Sequence, residues 1–174
     1  MRLPVLVTTA IVALGLFCGH APAARFVPPT VENPYCAITT YMVFDLPEEA
    51  FSSMDSDQHP IIVVSAMTIR QALPYGRFLM AHECCHHTLG HVANYHREFG
   101  HLGPQPFLSI APELKRMELE ADCCAVKLLK QNGQLDSIEA ARVAMEAFGP
   151  QETGAYYPTG NERAANIAAC AAEE

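Results

Sequence analysis

The stretch MAHECCHHTLGH, from Met80 to His91, places four histidines, one glutamate and two adjacent cysteines within twelve positions. Within it, the order His82-Glu83-x-x-His86 puts two imidazoles one turn apart on the same face of a helix. Zinc often takes two nitrogen ligands from a single helix in this way, and Glu83 lies directly beside them. The pattern therefore predicts a metal site on a helix.

The third ligand is not expected from the same helix. A metzincin site would continue with glycine at position 89 and histidine at position 92, but the chain has Leu89 and Val92, which excludes that class. At roughly 100° per residue on one continuous helix, His91 points to the side opposite His82. We therefore interpret His91 as a buried packing histidine that makes one hydrogen bond.

The segment ELEAD offers the missing ligand on a second helix. Glu118 and Asp122 are four residues apart and share a face, whereas Glu120 points about 200° away from Glu118. The carboxylate of Glu118 can bind zinc, and that of Asp122 can accept the N–H of a zinc-bound histidine and fix its tautomer. Two histidines and one glutamate leave the fourth position of a tetrahedral zinc ion open for water, as catalytic zinc requires. The predicted cofactor is one Zn²⁺.

Two helices are predicted to position these residues. The first runs from about Tyr75 to about Tyr95, because the segment lacks proline, has helical spacing of apolar residues and contains only Gly90 as an interior breaker. The second begins at Pro112 and ends at about Gln131, before an Asn-Gly pair.

A third helix is expected to begin at Asp136 or Ser137, where Asp136 and Glu139 have the spacing of a capping box, and to stop at Gly149. A turn and a final short helix follow in YYPTGNERAANIAACAAEE.

The strand signals are fewer. PIIVVS, Pro60–Ser65, is the clearest, because a short β-branched run begins with a proline that suits an edge position. The segment 36–44 is either a strand or a short helix, and 48–58 reads as a surface loop or short helix. Together these elements predict an α+β fold that is mainly helical with a small β-sheet.

Length and charge limit the possible partners. The chain has 174 residues, enough for one ordinary domain, with 11 Lys and Arg against 19 Asp and Glu. Because no basic cluster is present to meet phosphates, we expect no nucleic-acid partner. No segment after the N-terminus approaches the roughly 20 apolar residues of a membrane helix, so we expect no membrane span.

The N-terminus resembles a secretory signal peptide. An apolar run, 3–17, is followed by Ala21-Pro22-Ala23, which predicts a signal peptide over 1–23 and a secreted or periplasmic protein. A lipoprotein anchored at Cys18 is the alternative, although bulky Phe17 precedes it. Residues 24–35, rich in proline, are expected to form an extended arm, and 36–174 the catalytic domain. The sequence leaves open whether the arm covers the cleft as a latency segment.

The mature chain would keep an even number of cysteines, which in an exported protein favours disulfides. We expect one bridge between the two adjacent pairs, with the remaining member of each pair linked to one end of the chain; the six candidates are Cys36, Cys84, Cys85, Cys123, Cys124 and Cys170. The alternative is that these thiols are ligands or redox catalysts, but adjacent cysteines lack the two-residue spacer of a thioredoxin-type site.

The surplus histidines receive a simpler interpretation. We expect His87, His96 and His101 to be exposed helix or loop residues. A second metal site is the alternative.

From about residue 60 to 167, the chain resembles the gluzincin metallopeptidases related to the CAAX prenyl protease and HtpX, particularly their soluble, exported, minimal members. The matching motifs, in order, are Ala81-His82-Glu83-x-x-His86-x4-His91, Glu118-x-x-Ala121-Asp122 and Tyr157-Pro158-x4-Arg163. Two departures stand out: Cys85 replaces the usual glycine, and Tyr157 stands where that family commonly has histidine.

The resemblance implies a zincin-like domain in which the HExxH helix packs on the ExxAD helix. It also implies that Glu83 takes a proton from zinc-bound water and passes it to the leaving amine. Tyr157, or its neighbour Tyr156, would hold the oxyanion, unless both are packing residues in a turn. Arg163 would brace this segment or accept a substrate carboxylate, unless it faces solvent. An extended peptide substrate would add to the free edge of the strand Ile61–Val64.

These observations favour a zinc-dependent endopeptidase. A zinc-binding scaffold, chaperone-like or regulatory, with the same fold and little turnover is the main alternative. A thiol oxidoreductase is a third possibility and would have accessible free thiols.

Overall fold

The structure, a computed structural model, describes residues 28–99, 107–154 and 156–173. The strands are β1 (Thr30–Val31), β2 (Thr39–Val43), β3 (Ala50–Met54) and β4 (Pro60–Ser65). The helices are α1 (Ala66–Gln71), α2 (Leu73–Thr88), α3 (His91–Phe99), α4 (Phe107–Gln131), α5 (Leu135–Phe148) and α6 (Gly160–Ala172). The described residues thus confirm the α+β class. Among them, no helix has both the length and the apolar character needed to cross a bilayer.

The N-terminal features fall partly outside the described residues. The predicted signal peptide, 1–23, and the first part of the predicted arm, 24–27, lie outside them. Within the rest of that arm, Thr30 and Val31 form β1 and pair with β2.

The four strands form one mixed sheet in the order β1-β2-β4-β3. β4 runs parallel to β2 and antiparallel to β3, so that Val63 lies between Tyr41 on one side and Phe51 on the other. The prediction that Ile61–Val64 presents a free edge to substrate is therefore wrong. Pro60 fits inside the sheet because it is the first residue of its strand, where a missing N–H is tolerated. In the described part of the chain, the free edges belong to β1 and β3.

The segment 48–58 also differs from its prediction, because it contains strand β3 and the turn into β4. β3 carries little periodic signal of its own, and its pairing with β4 supplies its hydrogen bonds. The Asp55 carboxylate closes the turn by accepting the backbone N–H groups of Asp57 and His59, both at 2.8 Å. The segment 36–44, left open between strand and helix, forms β2.

A glycine and a proline account for two differences in helix boundaries. The single helix predicted to reach Tyr95 is two helices, because Gly90 adopts a left-handed φ of 77° between the end of α2 and the start of α3. The second predicted helix begins earlier than expected, with Pro112 inside α4. Proline removes only one backbone hydrogen bond there, so a turn can form before it.

The capping box is found on a different helix from the one predicted. α5 begins at Leu135 without a side-chain cap, and Asp136 lies 3.7 Å from the guanidinium of Arg77. Instead, α6 carries the box, because Thr159 and Glu162 satisfy each other's backbone N–H groups. This box fixes the first turn of α6.

α2 is the central element of the molecule. One face packs on the sheet, where Met80 and Cys84 meet Ile62 and Val64. The other face packs on α4 and α5, and α6 packs on these two helices; Phe78 joins a cluster of buried side chains that also includes Leu129, Ile138, Met145 and Ile167. Because α2 is covered on both sides, the polar side chains of His82 and Glu83 near its C-terminal end are buried.

Three disulfides cross-link the described chain, and two of them involve α2. They join Cys36 to Cys84, Cys85 to Cys124 and Cys123 to Cys170, with Cα–Cα distances of 5.9, 5.9 and 5.4 Å. This confirms the expected arrangement of one bridge between the adjacent pairs and one from each pair to an end of the chain. All six cysteines of the described residues are paired, so none of them offers a free thiol to a metal.

The bridge between Cys85 and Cys124 should contribute substantially to stability, because it closes 39 residues of sequence separation in the unfolded chain. We expect the double substitution Cys85→Ala/Cys124→Ala to lower the free energy of unfolding by about 3 kcal/mol in urea denaturation. The double substitution Cys123→Ala/Cys170→Ala removes a bridge with a sequence separation of 47 residues and should lower the free energy of unfolding by a similar amount. Unchanged unfolding midpoints in both variants would contradict the bridges.

Candidate metal centre

Three side chains from two helices meet at one point. α2 presents the imidazoles of His82 and His86, whose Nε2 atoms are 3.0 Å apart. α4 brings Glu118 between them, with Oε2 at 3.3 Å from His82 Nε2 and Oε1 at 3.3 Å from His86 Nε2. The structure thus joins the residue pair of the first motif to the carboxylate of the second.

The spacing and chemistry of this group fit a metal ion. Ligand atoms about 2.0–2.1 Å from a tetrahedral zinc ion lie about 3.3 Å from one another. The separation of the two imidazole nitrogens, and the distance from each nitrogen to one oxygen of Glu118, are close to this value. Two neutral imidazole nitrogens and one carboxylate oxygen are a donor set that divalent transition metals accept. His82 and Glu118 are only 3 % and 5 % exposed, so water does not compete freely for these atoms. The group can therefore hold a metal ion.

His82 is anchored on its other side by a buried ion pair. Its Nδ1 lies 3.0 Å from Oδ1 of Asp122, a residue one turn beyond Glu118 on α4. Arg163 on α6 donates two hydrogen bonds to the same carboxylate, from Nη2 to Oδ1 at 2.6 Å and from Nε to Oδ2 at 3.0 Å. Asp122 thus occupies the position the sequence suggested. Arg163 is 7 % exposed and lies inside the protein, not in solvent.

These contacts set the charge states of the cluster. Burial alone would lower the pKa of His82, but hydrogen bonds to Asp122 and Glu118 outweigh it and raise that pKa to about 9. Burial raises the pKa of Glu118, yet His82 and His86 hold it well below its usual range. Burial likewise opposes ionisation of Asp122, but Arg163 and His82 keep its pKa low. Without a metal, the cluster therefore holds a proton on His82.

His86 has a different partner, which the sequence reasoning did not find. Its Nδ1 lies 3.2 Å from Nδ1 of His91, and His91 Nε2 lies 3.2 Å from Oε2 of Glu120. His91 is buried, as expected, but the prediction that it points away from the site is wrong. The helical angle assumed a continuous helix, whereas Gly90 turns the chain and returns His91 to the side of His86. Two sequence signals bear on this contact: Gly90 can end a helix, and His91 belongs to the motif that carries the family resemblance.

Glu83 and Tyr157 complete the surroundings of the ligands. Glu83 follows His82 on α2 and is 7 % exposed. Tyr157 is half-buried, and burial together with the charges of Glu118 and Glu83 raises the pKa of its phenol. Its ring lies across Gly154, where an added Cβ would come within 2.5 Å of Tyr157 Cδ2. Tyr156 has a left-handed φ of 66°, an unusual conformation for a tyrosine next to the site.

The other histidines do not join this group within the described residues. His87 was expected to be exposed, but it is half-buried and its Nε2 lies 3.0 Å from the carbonyl oxygen of Ile61, so that prediction is wrong. The side chain of His96 and the whole of His101 lie outside the described residues.

The chain matches no protein-family model, and comparisons with curated proteins and with solved structures found no match. The case for a function therefore rests on the geometry of this site.

Removal of the carboxylate ligand should abolish metal retention. We expect Glu118→Gln to fall from about one ion per chain toward zero after incubation with Zn²⁺ and desalting, because an amide is a poor ligand in this donor set. Elemental analysis measures the metal. The matched control is Glu113→Gln on the same helix, whose carboxylate pairs with Arg116 away from the ligands and should leave metal content unchanged. Equal metal in both variants would show that Glu118 is not a ligand.

The metal-free protein should lose stability at alkaline pH. Because the folded pKa of His82, about 9, lies above its ordinary value of 6.5, its contribution is complete below pH 6.5 and disappears as pH rises through 9. We expect a loss of about 3 kcal/mol in the free energy of unfolding of EDTA-treated protein, measured in urea between pH 6.5 and about pH 10. Metal-saturated protein is the control and should lack this loss, since a ligating histidine is already deprotonated. Parallel curves for the two forms would contradict this assignment.

Proposed function

We propose that this protein is a zinc-dependent endopeptidase of the gluzincin type, secreted or periplasmic, that hydrolyses peptide bonds. The observation that carries this proposal is the buried triangle of His82, His86 and Glu118, with Glu83 on the same helix as the two histidines. The three disulfides are compatible with an exported protein, because such bridges persist in oxidising compartments.

His82 and His86, with one imidazole nitrogen each, and Glu118, with its carboxylate, would hold one Zn²⁺. Bound there, zinc would supply Lewis acidity toward a substrate carbonyl and a water molecule acidified to a pKa near 7. Among the described residues, no other side chain joins these three as a possible ligand, which would leave a bound metal accessible to water.

Glu83 is the proposed general base and acid. The residue is 7 % exposed, and none of the described residues donates a hydrogen bond to its carboxylate. The carboxylate oxygens are not among the buried atoms that lack a partner, so they remain open to water, as a group that takes a proton from water requires. Glu83 would take the proton of the attacking water and deliver it to the leaving amine.

Tyr157 is the proposed stabiliser of the oxyanion. Its phenol carries its proton at neutral pH, because burial and nearby carboxylates raise its pKa, so it can donate a hydrogen bond. Gly154 lets the ring lie flat against the backbone in this position. Tyr156 is the alternative donor.

Arg163 is better explained as a positioning residue than as a substrate-binding group. Two of its nitrogens are committed to Asp122, and a third lies 3.5 Å from Glu118 Oε2. A substrate carboxylate would have to displace these buried contacts. Arg163 would therefore orient His82 through Asp122 and limit the repulsion between the two carboxylates.

An extended peptide would bind by adding to β3. This strand is the free edge of the sheet next to β4, and it packs against α2, which carries the ligands. Backbone hydrogen bonds to Ala50–Met54 would hold the peptide with little dependence on its sequence. The substrate class is thus an extended segment of a peptide or protein.

Glu83→Gln separates an enzyme from a zinc-binding scaffold. We expect the hydrolysis of a fluorogenic peptide mixture to fall by a factor of about 100 or more, because the glutamine cannot accept the proton of the attacking water. Bound zinc should stay at the wild-type level, since Glu83 is not a ligand.

The control for this experiment is Glu139→Gln, an exposed carboxylate on α5 that should leave both rate and zinc unchanged. Equal hydrolysis by wild type and Glu83→Gln would exclude the proposed mechanism. Zinc binding by the wild type without hydrolysis of any peptide in the mixture would favour the scaffold.

A further inference from the structure

A line of side chains connects His86 to the protein surface. From His86 Nδ1 it passes to His91 Nδ1 at 3.2 Å, and from His91 Nε2 to Glu120 Oε2 at 3.2 Å. The other oxygen of Glu120 accepts from Arg116, which also binds Glu113. We propose that His91 and Glu120 form a hydrogen-bonded relay that positions His86 as a metal ligand. This inference rests on the proposed zinc site and extends it outward.

The direction of each hydrogen bond follows from the ligand atom. Nε2 of His86 faces His82 and Glu118, so a metal would take the lone pair of Nε2 and the ring proton must sit on Nδ1. His86 then donates to His91 Nδ1, and the remaining ring proton of His91 sits on Nε2. That proton points at the Glu120 carboxylate, which can only accept. Both bonds of the relay are therefore satisfied by one arrangement of protons.

The two histidine ligands are thus oriented by different devices. His82 reaches a carboxylate directly, since Asp122 lies on the same helix face as Glu118. His86 lies one turn further along α2, and its partner on α4 is the more exposed Glu120. The ring of His91 spans the gap, because the left-handed turn at Gly90 places it between the two helices.

A packing role alone does not account for His91. The residue is buried, and a packing position next to His86 and Val92 could be filled by an apolar ring without the cost of burying two polar nitrogens. Instead, both ring nitrogens are engaged, one with a ligand and one with a carboxylate. Hydrogen-bond partners of this kind fix the tautomer and the ring orientation of a ligand, and they raise its basicity.

The test uses zinc affinity of the full chain, measured by competition with a chromophoric chelator. We expect His91→Phe, which keeps a ring but removes both hydrogen bonds, to weaken zinc binding by about 10- to 100-fold. His91→Asn, whose side-chain carbonyl can accept from His86 Nδ1, should recover part of this loss. In the zinc-loaded wild type, the His86 Nδ1–H proton should give a protected downfield NMR signal that disappears in His91→Phe.

Glu120→Ala tests the outer end of the relay without disturbing the core. Its side chain is 43 % exposed, so the substitution should fold, and we expect zinc binding about tenfold weaker. Glu113→Ala is the matched control, because Glu113 contacts the same Arg116 on the same helix but does not touch His91. It should bind zinc like the wild type.

The outcomes separate the relay from the site itself. Wild-type affinity in His91→Phe, or equal affinities in Glu120→Ala and Glu113→Ala, would overturn the relay while leaving the zinc site and its proposed activity intact. Absence of zinc binding by the wild type would overturn both. Weaker binding in His91→Phe and Glu120→Ala, together with loss of the NMR signal, would support the relay even if no peptide is hydrolysed.

Discussion

The burial of several charged groups at one point is the constraint on which this structure depends. Glu118, Asp122 and Arg163 are all almost inaccessible to water, and each lone ion would cost several kcal/mol to place there. The cluster is tolerable because its charges cancel. Two carboxylates face one guanidinium and one protonated imidazole, that of His82, whose pKa is raised to about 9. Exchange of that proton for a divalent ion would add one positive charge, and the carboxylate of Glu83, next to His82, can offset it.

The charged side chains of this cluster stay together because packing and disulfides hold the helices that carry them, and α2 is at the centre of this packing. Apolar side chains cover α2 on its sheet side and on its helical side. One disulfide, Cys85 to Cys124, joins the two helices that carry the ligand atoms, and the others join α2 to Cys36 and α4 to Cys170. Adjacent cysteines on a helix point about 100° apart, so each pair can reach two different partners. The repeated Cys-Cys doublet is thus explained by three-way bracing of the site.

The parts of this arrangement that could be predicted from the sequence are those set by local geometry. Residues four apart on a helix share a face wherever the helix lies, so His82 with His86, and Glu118 with Asp122, were paired correctly. The predictions that failed needed tertiary information. β3 forms by pairing with β4, and the sequence of β3 alone does not show this partner. The same pairing places β4 between two strands and not at the edge of the sheet. The direction of His91 was wrong because the angular argument assumed a helix that Gly90 interrupts.

The two histidine ligands have different hydrogen-bond partners, Asp122 for His82 and His91 for His86, and the same charge balance accounts for this difference. A further buried carboxylate beside His86 would add a negative charge that no buried cation balances in the metal-free protein. A neutral imidazole, that of His91, avoids this cost, because it passes a hydrogen bond outward without carrying a charge. Glu120, the carboxylate at the outer end of the relay, is partly exposed to water and forms an ion pair with Arg116. Thus the fold provides each histidine ligand with an anionic anchor, and the anchor beyond His86 adds no further buried charge.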